Sequence, residues 1–255
     1  MGKRVEWFED ESFWHTTFPT MFDPARIGAG KEDARKVREL TGVRRGKVLD
    51  LCCGPGRHSV AFAKLGYRVT AVDRTPFLLA KARAAARRSR ARIAFVRSDM
   101  REFVRDGEFD LALSLFTSFG YFRTEEEDLR VLLNLHRSLK PGGKLVMELM
   151  GKEVLARIFM PTTSTLSPNG TRIIQVHEVS DDWTRVQNCW IVQKGGTAKE
   201  YHFSHSVYSA RELQDRLLKA GFVSTQVYGG LDGSPYDRKA QRLTVVATKG
   251  KRPAL

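Results

Sequence analysis

Residues 47–59 constrain the fold of this chain more than any other stretch of its sequence. The apolar run within 47–51 is typical of a buried strand, and Gly and Pro end that run abruptly. Gly54 and Gly56 allow a tight turn and a close approach of the backbone to a ligand. Residues 59–65 then carry apolar side chains at helical spacing. The stretch therefore predicts a strand, a glycine turn and a helix, with a ligand above the start of the helix.

The side chains around the glycines narrow the choice of ligand. A Gly-x-Gly turn by itself also fits nicotinamide and flavin enzymes. However, Ser59 stands where their fingerprint usually has its third glycine, and Asp50 places a carboxylate at the end of the strand. A carboxylate is unfavourable beside an anionic pyrophosphate, but it suits a ligand that carries an ammonium and a sulfonium group. S-adenosylmethionine is such a ligand.

The stretch resembles motif I of the class I methyltransferases, Asp-x-x-x-Gly-x-Gly, with Cys52 replacing the first glycine often found there. Residues 67–73 alternate as a second strand and end in Asp73, about 20 residues beyond the turn, where an acid binds a ribose diol. The alternative role of Asp73 is to cap the next helix. A third strand at 93–100 ends in Asp99, which by the resemblance contacts the adenine amino group.

The strand–helix alternation covers residues 47–149 and includes the Leu-Lys-Pro-Gly-Gly turn that is frequent in this family. The resemblance implies an α/β fold: a Rossmann-like, seven-stranded class I methyltransferase sheet with helices on both faces. A small antiparallel β insertion is added to it. The implied cofactor is S-adenosylmethionine, with S-adenosylhomocysteine as its product. The expected cofactor contacts are Asp50, Cys52, Gly54, Gly56, Asp73, Arg74, Asp99, Met100 and Leu115.

The order of segments predicts three regions. Residues 1–46 form an aromatic and helical segment, which is either core padding or a lid. Residues 47–160 and 209–255 form the cofactor-binding core. Residues 161–208 alternate with period 2 and predict an antiparallel insertion of about three strands that walls the substrate site or pairs subunits. Its expected apolar set is Ile174, Val176, Trp190 and Val192.

The whole order resembles bacterial small-molecule methyltransferases, including the sugar-amine N,N-dimethyltransferases. The loop Phe-Thr-Ser-Phe-Gly-Tyr-Phe at 116–122 is similar to their Phe-Ser-Ser-Ile-Gly loop, and 202–205 is similar to their His-rich strand. This implies methyl transfer to N or O of a small acceptor. The candidate substrate residues are Trp14, Phe116, Tyr121 and Glu148, and the candidate catalytic residues are Tyr121, His202 and His205. Tyr121 and Glu148 have alternative roles in loop packing, and only one of the two histidines can face inward easily.

The formal net charge of +14 suggests an alternative, an RNA-modifying methyltransferase that uses a basic surface. The basic residues between 81 and 92 alternate with alanines rather than aromatics, which favours a solvated helix surface. A silent cofactor-binding module and a nicotinamide oxidoreductase are further alternatives. The three cysteines have no metal-ligand spacing, so no metal is expected, and they indicate a reducing cytoplasm. No apolar run is long enough to span a bilayer, and a monomer or homodimer is expected.

Overall fold

The computed structural model describes residues 6–180 and 182–251. Its larger sheet has seven strands in the order β10-β11-β5-β4-β1-β2-β3. The strands are β1 (Lys47–Leu51), β2 (Arg68–Asp73), β3 (Ile93–Arg97), β4 (Phe109–Ser114), β5 (Leu139–Leu149), β10 (Phe222–Tyr228) and β11 (Leu243–Lys249). Strands β1 to β5 pair in parallel, and β11 runs antiparallel to both of its neighbours. The carboxyl ends of β1 to β5 therefore share one edge, where open α/β sheets bind ligands.

Helices cover both faces of this sheet. They are α1 (Glu11–Met21), α2 (Pro24–Thr41), α3 (Arg57–Lys64), α4 (Pro76–Arg88), α5 (Glu125–Ser138), α6 (Lys152–Ile158) and α7 (Ala210–Lys219), preceded by a 3₁₀ turn at Trp7–Glu9. One core cluster joins the sheet to Leu132 of α5 and Leu213 of α7, and another joins it to Val37 of α2 and Phe62 of α3. The predicted fold class is confirmed. None of the helices in the described ranges is long and apolar enough to cross a membrane.

Helix α2 does not belong with the lid in which residues 1–46 were grouped. Asp23 caps its start by accepting a hydrogen bond from the backbone N–H of Arg26, and Gly42 ends it with a φ of 68°. Ala34 and Val37 are fully buried in the core cluster with Phe62. Within residues 6–46, the cavity at the carboxyl edge of the sheet is lined from the segment before α2 and, through Arg26, from the first turn of α2.

The insertion is a separate antiparallel sheet of four strands rather than three. Its strands, in spatial order, are β6 (Thr162–Leu166), β7 (Arg172–Val179), β8 (Arg185–Lys194) and β9 (Thr197–Ser206). The sequence analysis missed β6 because its residues, Thr-Thr-Ser-Thr-Leu, show no apolar alternation. β6 pairs along its whole length with β7, and four of its five residues are exposed.

The predicted apolar set of the insertion is divided between its two faces. Ile173 pairs with Val192, so each even-numbered position of β7 lies opposite an odd-numbered position of β8. Trp190 and Val192 therefore share the inner face, where Phe13 of α1 packs against them. Ile174 and Val176 lie on the outer face, and Val176 is 39% exposed. A shift of one position in register moves a side chain to the opposite face.

Candidate active site

The turn after β1 is built from residues with left-handed backbone conformations. Cys52, Gly54 and Gly56 have φ angles of 60°, 54° and 83°. At Gly56 a Cβ would lie 2.9 Å from the Cβ of Ala82 in α4, so the turn also requires glycine for close packing. Cys52 adopts the conformation that a glycine would accept without strain, and its thiol contacts the sulfur of Met100 at 3.6 Å. Burial raises the pKa of the Cys52 thiol well above its usual value, so this cysteine stays protonated.

Asp50 lies beneath this turn rather than in the cavity above it. It is 2% exposed and accepts a hydrogen bond from the hydroxyl of Ser59 in α3. Burial raises the pKa of this carboxyl. Asp50 and Gly56, both expected to contact the cofactor, are absent from the cavity wall in the described part of the chain. They shape the turn and hold the start of α3.

Asp73 stands at the tip of β2 with both carboxylate oxygens in use. Its Oδ2 accepts the backbone N–H of Gly54 at 2.9 Å, and its Oδ1 accepts the backbone N–H of Thr75 at the same distance. Burial raises the pKa of Asp73, although these hydrogen bonds oppose that shift. The Thr75 contact fulfils the helix-capping alternative. A carboxylate oxygen can accept more than one hydrogen bond, and Asp73 lines the cavity, so capping does not prevent it from binding a ribose diol.

Asp99, at the end of the segment after β3, lies in an ion-pair network that reaches the N-terminal segment. Arg74 contacts Asp99 at 3.1 Å and Glu9 at 2.5 Å, and its guanidinium covers the ring of Phe8 at 4.8 Å. Burial favours a raised pKa for Asp99, but hydrogen bonds from Arg101 keep its pKa below the usual value. Arg74 thus ties the segment before α1 to the adenine end of the predicted cofactor site.

A cavity of about 330 Å³ opens along the carboxyl edge of the sheet. Seven of the nine predicted cofactor residues line it: Cys52, Gly54, Asp73, Arg74, Asp99, Met100 and Leu115. The turn conformation, the buried acid at the second strand and the acid with its neighbouring Met100 at the third strand fit S-adenosylmethionine. The individual contacts stay predictions: Asp73 with the ribose, Asp99 and Met100 with the adenine, and the Gly54 turn with the methionine part.

The rest of the cavity wall is aromatic and comes from distant parts of the chain. Trp7, Trp14, Tyr121 and Trp190 line it, together with Phe116. The ring centroid of Trp7 lies 5.1 Å from that of Tyr121 and 5.5 Å from that of Trp14. The indole nitrogens of Trp7 and Trp190 are buried without a hydrogen-bond partner among the described residues, whereas that of Trp14 donates to the carbonyl of Phe8. The aromatic rings, rather than these shielded N–H groups, therefore form the surface of this wall.

Tyr121 and Glu148 have different positions, although both were predicted to contact the substrate. Tyr121 lines the cavity, and burial raises its pKa to about 12, so its hydroxyl is protonated at neutral pH. Glu148 lies outside the lining of this cavity, accepts the backbone N–H of Phe116 at 3.0 Å and contacts Arg242 at 3.5 Å. Glu148 therefore orients the loop after β4, which is the alternative role considered for it.

The two histidines of β9 face opposite sides of the insertion, as expected from their spacing. His205 lies on the inner side, 5.3 Å from Tyr121 between ring centroids, and its Nδ1 contacts the Asn188 amide at 3.2 Å. Burial lowers the pKa of His205 to about 4, with smaller effects from Arg185 and His177. His202 is exposed on the outer face beside Glu200. Neither histidine lines the cavity that holds the predicted cofactor residues, so the structure does not support their proposed catalytic role.

The sequence analysis missed three arginines at the mouth of the cavity. Arg26, Arg57 and Arg242 all line it and approach the ring of Phe116. Arg57 directly follows the glycine turn, and this position could have indicated that its side chain lies near the ligand. His58, the next residue, also lines the cavity, and its Nε2 contacts Asp33 of α2 at 3.1 Å.

One cluster of side chains in the described ranges has suitable spacing for a metal ion. Cys189, Glu200 and His202 place a sulfur, an oxygen and a nitrogen within 4.8 Å of one another on the outer face of the insertion. The sequence analysis expected no metal from the spacing of the cysteines. It missed this trio because Cys189 meets Glu200 and His202 only when β8 pairs with β9. It lies outside the wall of the cavity described above.

The basic side chains of α4 are not as isolated from aromatic rings as their sequence suggested. The Lys81 ammonium lies 5.1 Å from the ring centroid of Phe77, and the Arg83 guanidinium lies 5.4 Å from that of Phe95. These rings belong to the protein's own surface. The contacts are consistent with a basic surface that packs on itself.

Comparison with known proteins adds to this geometry. Residues 48–143 match the family described as "Methyltransferase domain". The chain is 29% identical over 204 residues to the cypemycin N-terminal methyltransferase of a Streptomyces species, covering 78% of this chain and 81% of that protein. It is 27% identical over 134 residues to dTDP-3-amino-3,4,6-trideoxy-alpha-D-glucopyranose N,N-dimethyltransferase of Streptomyces venezuelae, covering 50% and 55%.

Among solved structures, the fold is similar to that of an S-adenosylmethionine-dependent methyltransferase from Clostridium acetobutylicum. The TM-score is 0.74 at 14% identity, and the match covers 94% of this chain and 98% of the other. At this identity the match is a likeness of fold. It extends beyond the cofactor-binding half, because the covered share includes nearly the whole chain.

Proposed function

We propose that this S-adenosylmethionine-dependent methyltransferase methylates an amine nitrogen of a small-molecule acceptor. The proposal rests on the composition of the aromatic part of the cavity. Its lining within the described residues contains acids only at Asp73 and Asp99, both at the predicted cofactor end, and one histidine, His58, which is engaged with Asp33. No carboxylate or unengaged imidazole in this lining is available as a base for the acceptor.

This lack of a base favours nitrogen over oxygen. An alcohol, whose pKa is near the value of about 15.7 for water, needs help to release its proton before it can attack. An amine needs only a neutral lone pair, and a desolvating aromatic wall lowers the pKa of an ammonium group. Tyr121 does not replace the base, because a hydroxyl with a pKa of about 12 remains protonated at neutral pH.

The residues of the chain are proposed to work mainly by positioning. Bound S-adenosylmethionine supplies an electrophilic methyl group on a sulfonium. Asp73, Asp99 and the Gly54 turn fix the direction of that methyl group, and Tyr121 and Trp14 hold the acceptor nitrogen in line with it. Aromatic faces stabilise the cationic sulfonium and the cationic amine product. Correct placement in a dry site contributes a large part of such a rate enhancement. The proton leaves the product amine to solvent.

Two relatives have names that indicate nitrogen acceptors of different size. One is an N-terminal methyltransferase of cypemycin, and the other is an N,N-dimethyltransferase of a nucleotide-linked amino sugar. Both names are consistent with an amine acceptor. Because the two acceptors differ, the names do not indicate the size of the acceptor that this chain binds.

Selective chemical blocking of amines tests the proposal before the acceptor is known. Purified protein and S-adenosylmethionine with a tritiated methyl group are incubated with a bacterial small-molecule extract. A parallel sample of the extract is first treated with an amine-selective acetylating ester. We expect tritium incorporation that disappears after acetylation, because the nitrogen lone pair is lost. Incorporation that survives acetylation would show that the acceptor atom is not a primary or secondary amine nitrogen and would contradict the proposal.

We also propose that the segment before α2 and the four-stranded insertion together enclose the acceptor. Phe13 of α1 is fully buried against Trp190 and Tyr201 of the insertion, at ring-centroid distances of 5.7 and 5.1 Å. The contact joins α1 to the insertion, and Trp14 of α1 and Trp190 of the insertion both line the cavity. It supports an acceptor wall made from both regions.

A further inference from the structure

The ring of Phe116 lies among three guanidinium groups. The Arg57 Cζ atom lies 4.3 Å from the ring centroid, and those of Arg242 and Arg26 lie at 5.8 and 5.9 Å. Phe116 and Thr117 both have positive φ angles, 60° and 55°, which residues with a Cβ adopt rarely. Tertiary contacts must therefore hold this loop in place, because two strained residues in sequence cost free energy.

The contacts that hold the loop use part of the available negative charge. Glu148 accepts the backbone N–H of Phe116 at 3.0 Å, and its other carboxylate oxygen lies 3.5 Å from Arg242. Arg242 also donates to the hydroxyl of Thr117 at 2.8 Å. These contacts hold Arg242 against the loop, and Arg242 lines the cavity.

The charges at this mouth do not balance. Arg26 pairs with Asp23 at 3.3 Å, and Arg242 pairs with Glu148. Arg57 has no carboxylate within ion-pair distance in residues 6–180 and 182–251; its guanidinium donates to the carbonyl of Arg26 at 2.9 Å. Burial lowers the pKa of Arg57 and Arg26 adds to that shift, although the carboxylates of Asp33, Glu148 and Asp50 oppose it from beyond ion-pair distance. A half-buried cation beside two others needs an anion to offset both desolvation and repulsion.

The order of the strands indicates which ligand brings that anion. The acids assigned to the cofactor follow β2 and β3, on one side of β1. Arg242 immediately precedes β11, which lies beyond β4 and β5 on the opposite side. An anion between Arg57 and Arg242 therefore lies next to the loop after β4, on the side of the acceptor.

We propose that Arg57 and Arg242 form a binding site for a carboxylate or phosphate carried by the methyl acceptor. The inference rests on the proposed function and narrows its substrate class to amines that also carry an acidic group. The planar guanidinium forks match the oxygen pairs of a carboxylate or phosphate. Anchoring the acid at the cavity mouth would leave the amine end to reach the aromatic wall, which is how remote binding improves the placement of a reacting atom.

An anion titration without any methyl transfer tests the proposal. Protein saturated with S-adenosylhomocysteine is titrated at constant ionic strength with inorganic pyrophosphate and, separately, with malonate. Fluorescence of Trp7, Trp14 and Trp190, which line the same cavity, reports binding. We expect saturable binding of at least one probe that weakens about 10-fold or more in Arg242→Gln and in Arg57→Gln, since each removes a charge-assisted contact. The stronger of the two probes identifies phosphate or carboxylate as the preferred chemistry.

Controls separate this site from folding and from the cofactor. Arg137→Gln removes a surface arginine that pairs with Asp106 and lies outside the cavity lining, so probe binding should be unchanged. Arg57→Lys keeps the charge without the fork and should have an intermediate effect. Circular dichroism melts and S-adenosylhomocysteine affinity confirm that each variant is folded.

Three results would overturn the proposal. One is the absence of saturable binding by wild-type protein, and another is equal binding by wild type and both glutamine variants. The third is a loss of S-adenosylhomocysteine affinity that matches the loss of probe binding, which would assign the arginines to the cofactor's carboxylate. The titration measures anion binding and involves no methyl transfer. A failure of the acetylation experiment would therefore contradict the amine proposal without changing the result of this titration.

Discussion

The cofactor end and the acceptor wall of the cavity are built in different ways. At the cofactor end, Asp73 is held by backbone N–H groups of the turns that follow the adjacent parallel strands β1 and β2. At the acceptor wall, Trp7, Tyr121 and Trp190 come from the N-terminal segment, a loop and the insertion. The first region is fixed by local backbone geometry, whereas the second depends on side chains that meet through tertiary packing. Substitutions should therefore affect them differently.

The largest expected effect is on the packing that joins α1 to the insertion. Phe13 is 0% exposed, and Phe13→Ala should cost about 3–5 kcal/mol of unfolding free energy, or open this wall locally. Hydrogen exchange of α1 and β8, with thermal melts, measures the effect. Leu218→Ala, at a side chain 47% exposed, is the control and should change stability by less than about 0.5 kcal/mol. Unchanged protection of α1 from hydrogen exchange in Phe13→Ala would contradict the idea that the acceptor wall, unlike the cofactor end, depends on tertiary packing.

Next in size is the loss of a carboxylate at the cofactor end. Asp73→Ala should weaken S-adenosylhomocysteine binding by about 1.5–3 kcal/mol, the range for hydrogen bonds to charged groups. Calorimetric titration measures this, and Asp106→Ala, at a surface acid paired with Arg137, should bind normally. Retention of full affinity by Asp73→Ala would contradict the ribose assignment. Tight binding of a nicotinamide dinucleotide instead would contradict the assignment of the cofactor.

Tyr121→Phe should act on the acceptor alone. It removes one hydroxyl from the cavity wall, and turnover should fall about 10- to 100-fold, while cofactor affinity stays unchanged. With a pKa of about 12, Tyr121 stays protonated, so the ratio of wild-type to Tyr121→Phe turnover should be constant across pH 6–9. Kinetics with the acceptor found by the acetylation experiment measure it, and Tyr228→Phe, at a tyrosine of β10 outside the cavity lining, is the control that should keep full turnover. Unchanged turnover would indicate a packing tyrosine, and near-complete loss that follows one ionisation would indicate an obligatory base.

A smaller effect is expected from the half-buried histidine behind Tyr121. In the unfolded chain His205 has its usual pKa near 6.5, but burial lowers the folded value to about 4. The unfolded state therefore binds more protons between these values, and the full shift corresponds to about 3 kcal/mol. Because His205 is only half-buried by its exposed surface, we expect the free energy of unfolding to decrease by about 1–2 kcal/mol as pH falls through this range. Denaturation at several pH values measures the slope. His205→Gln should reduce it, whereas the exposed His202→Gln should leave it unchanged; equal slopes in all three proteins would refute the prediction.

The smallest effect is predicted for RNA. Lys81 and Arg83 cover rings of the protein's own surface, so they offer no free aromatic platform for bases. In a gel shift at about 0.15 M salt, we expect weak binding that does not depend on sequence. Selective binding at submicromolar concentration would favour the RNA-modifying alternative over a small-molecule acceptor.

The sequence by itself determined the fold class and most of the cofactor end. Strand-end acids and a glycine turn have meaning at fixed spacing within single βα units, and parallel pairing brings those ends to one edge of the sheet. Seven of the nine predicted cofactor residues line the cavity for this reason. Asp50 and Gly56 do not line it. Spacing specifies a position along the turn, but it does not specify whether the residue faces the ligand or packs against α3 and α4, as Asp50 and Gly56 do.

Only the tertiary structure decided the composition of the acceptor wall. Arg26, Arg57 and Arg242 are up to 216 residues apart in sequence, and no local pattern indicates that they meet at Phe116. In the insertion, alternation predicted strands but not the side that each residue faces, because the face depends on the register between neighbouring strands. The pairing of Ile173 with Val192 put Trp190 in the wall and Val176 on the surface. Backbone periodicity is local, but pairing register is a property of two segments together, so a single segment cannot encode it.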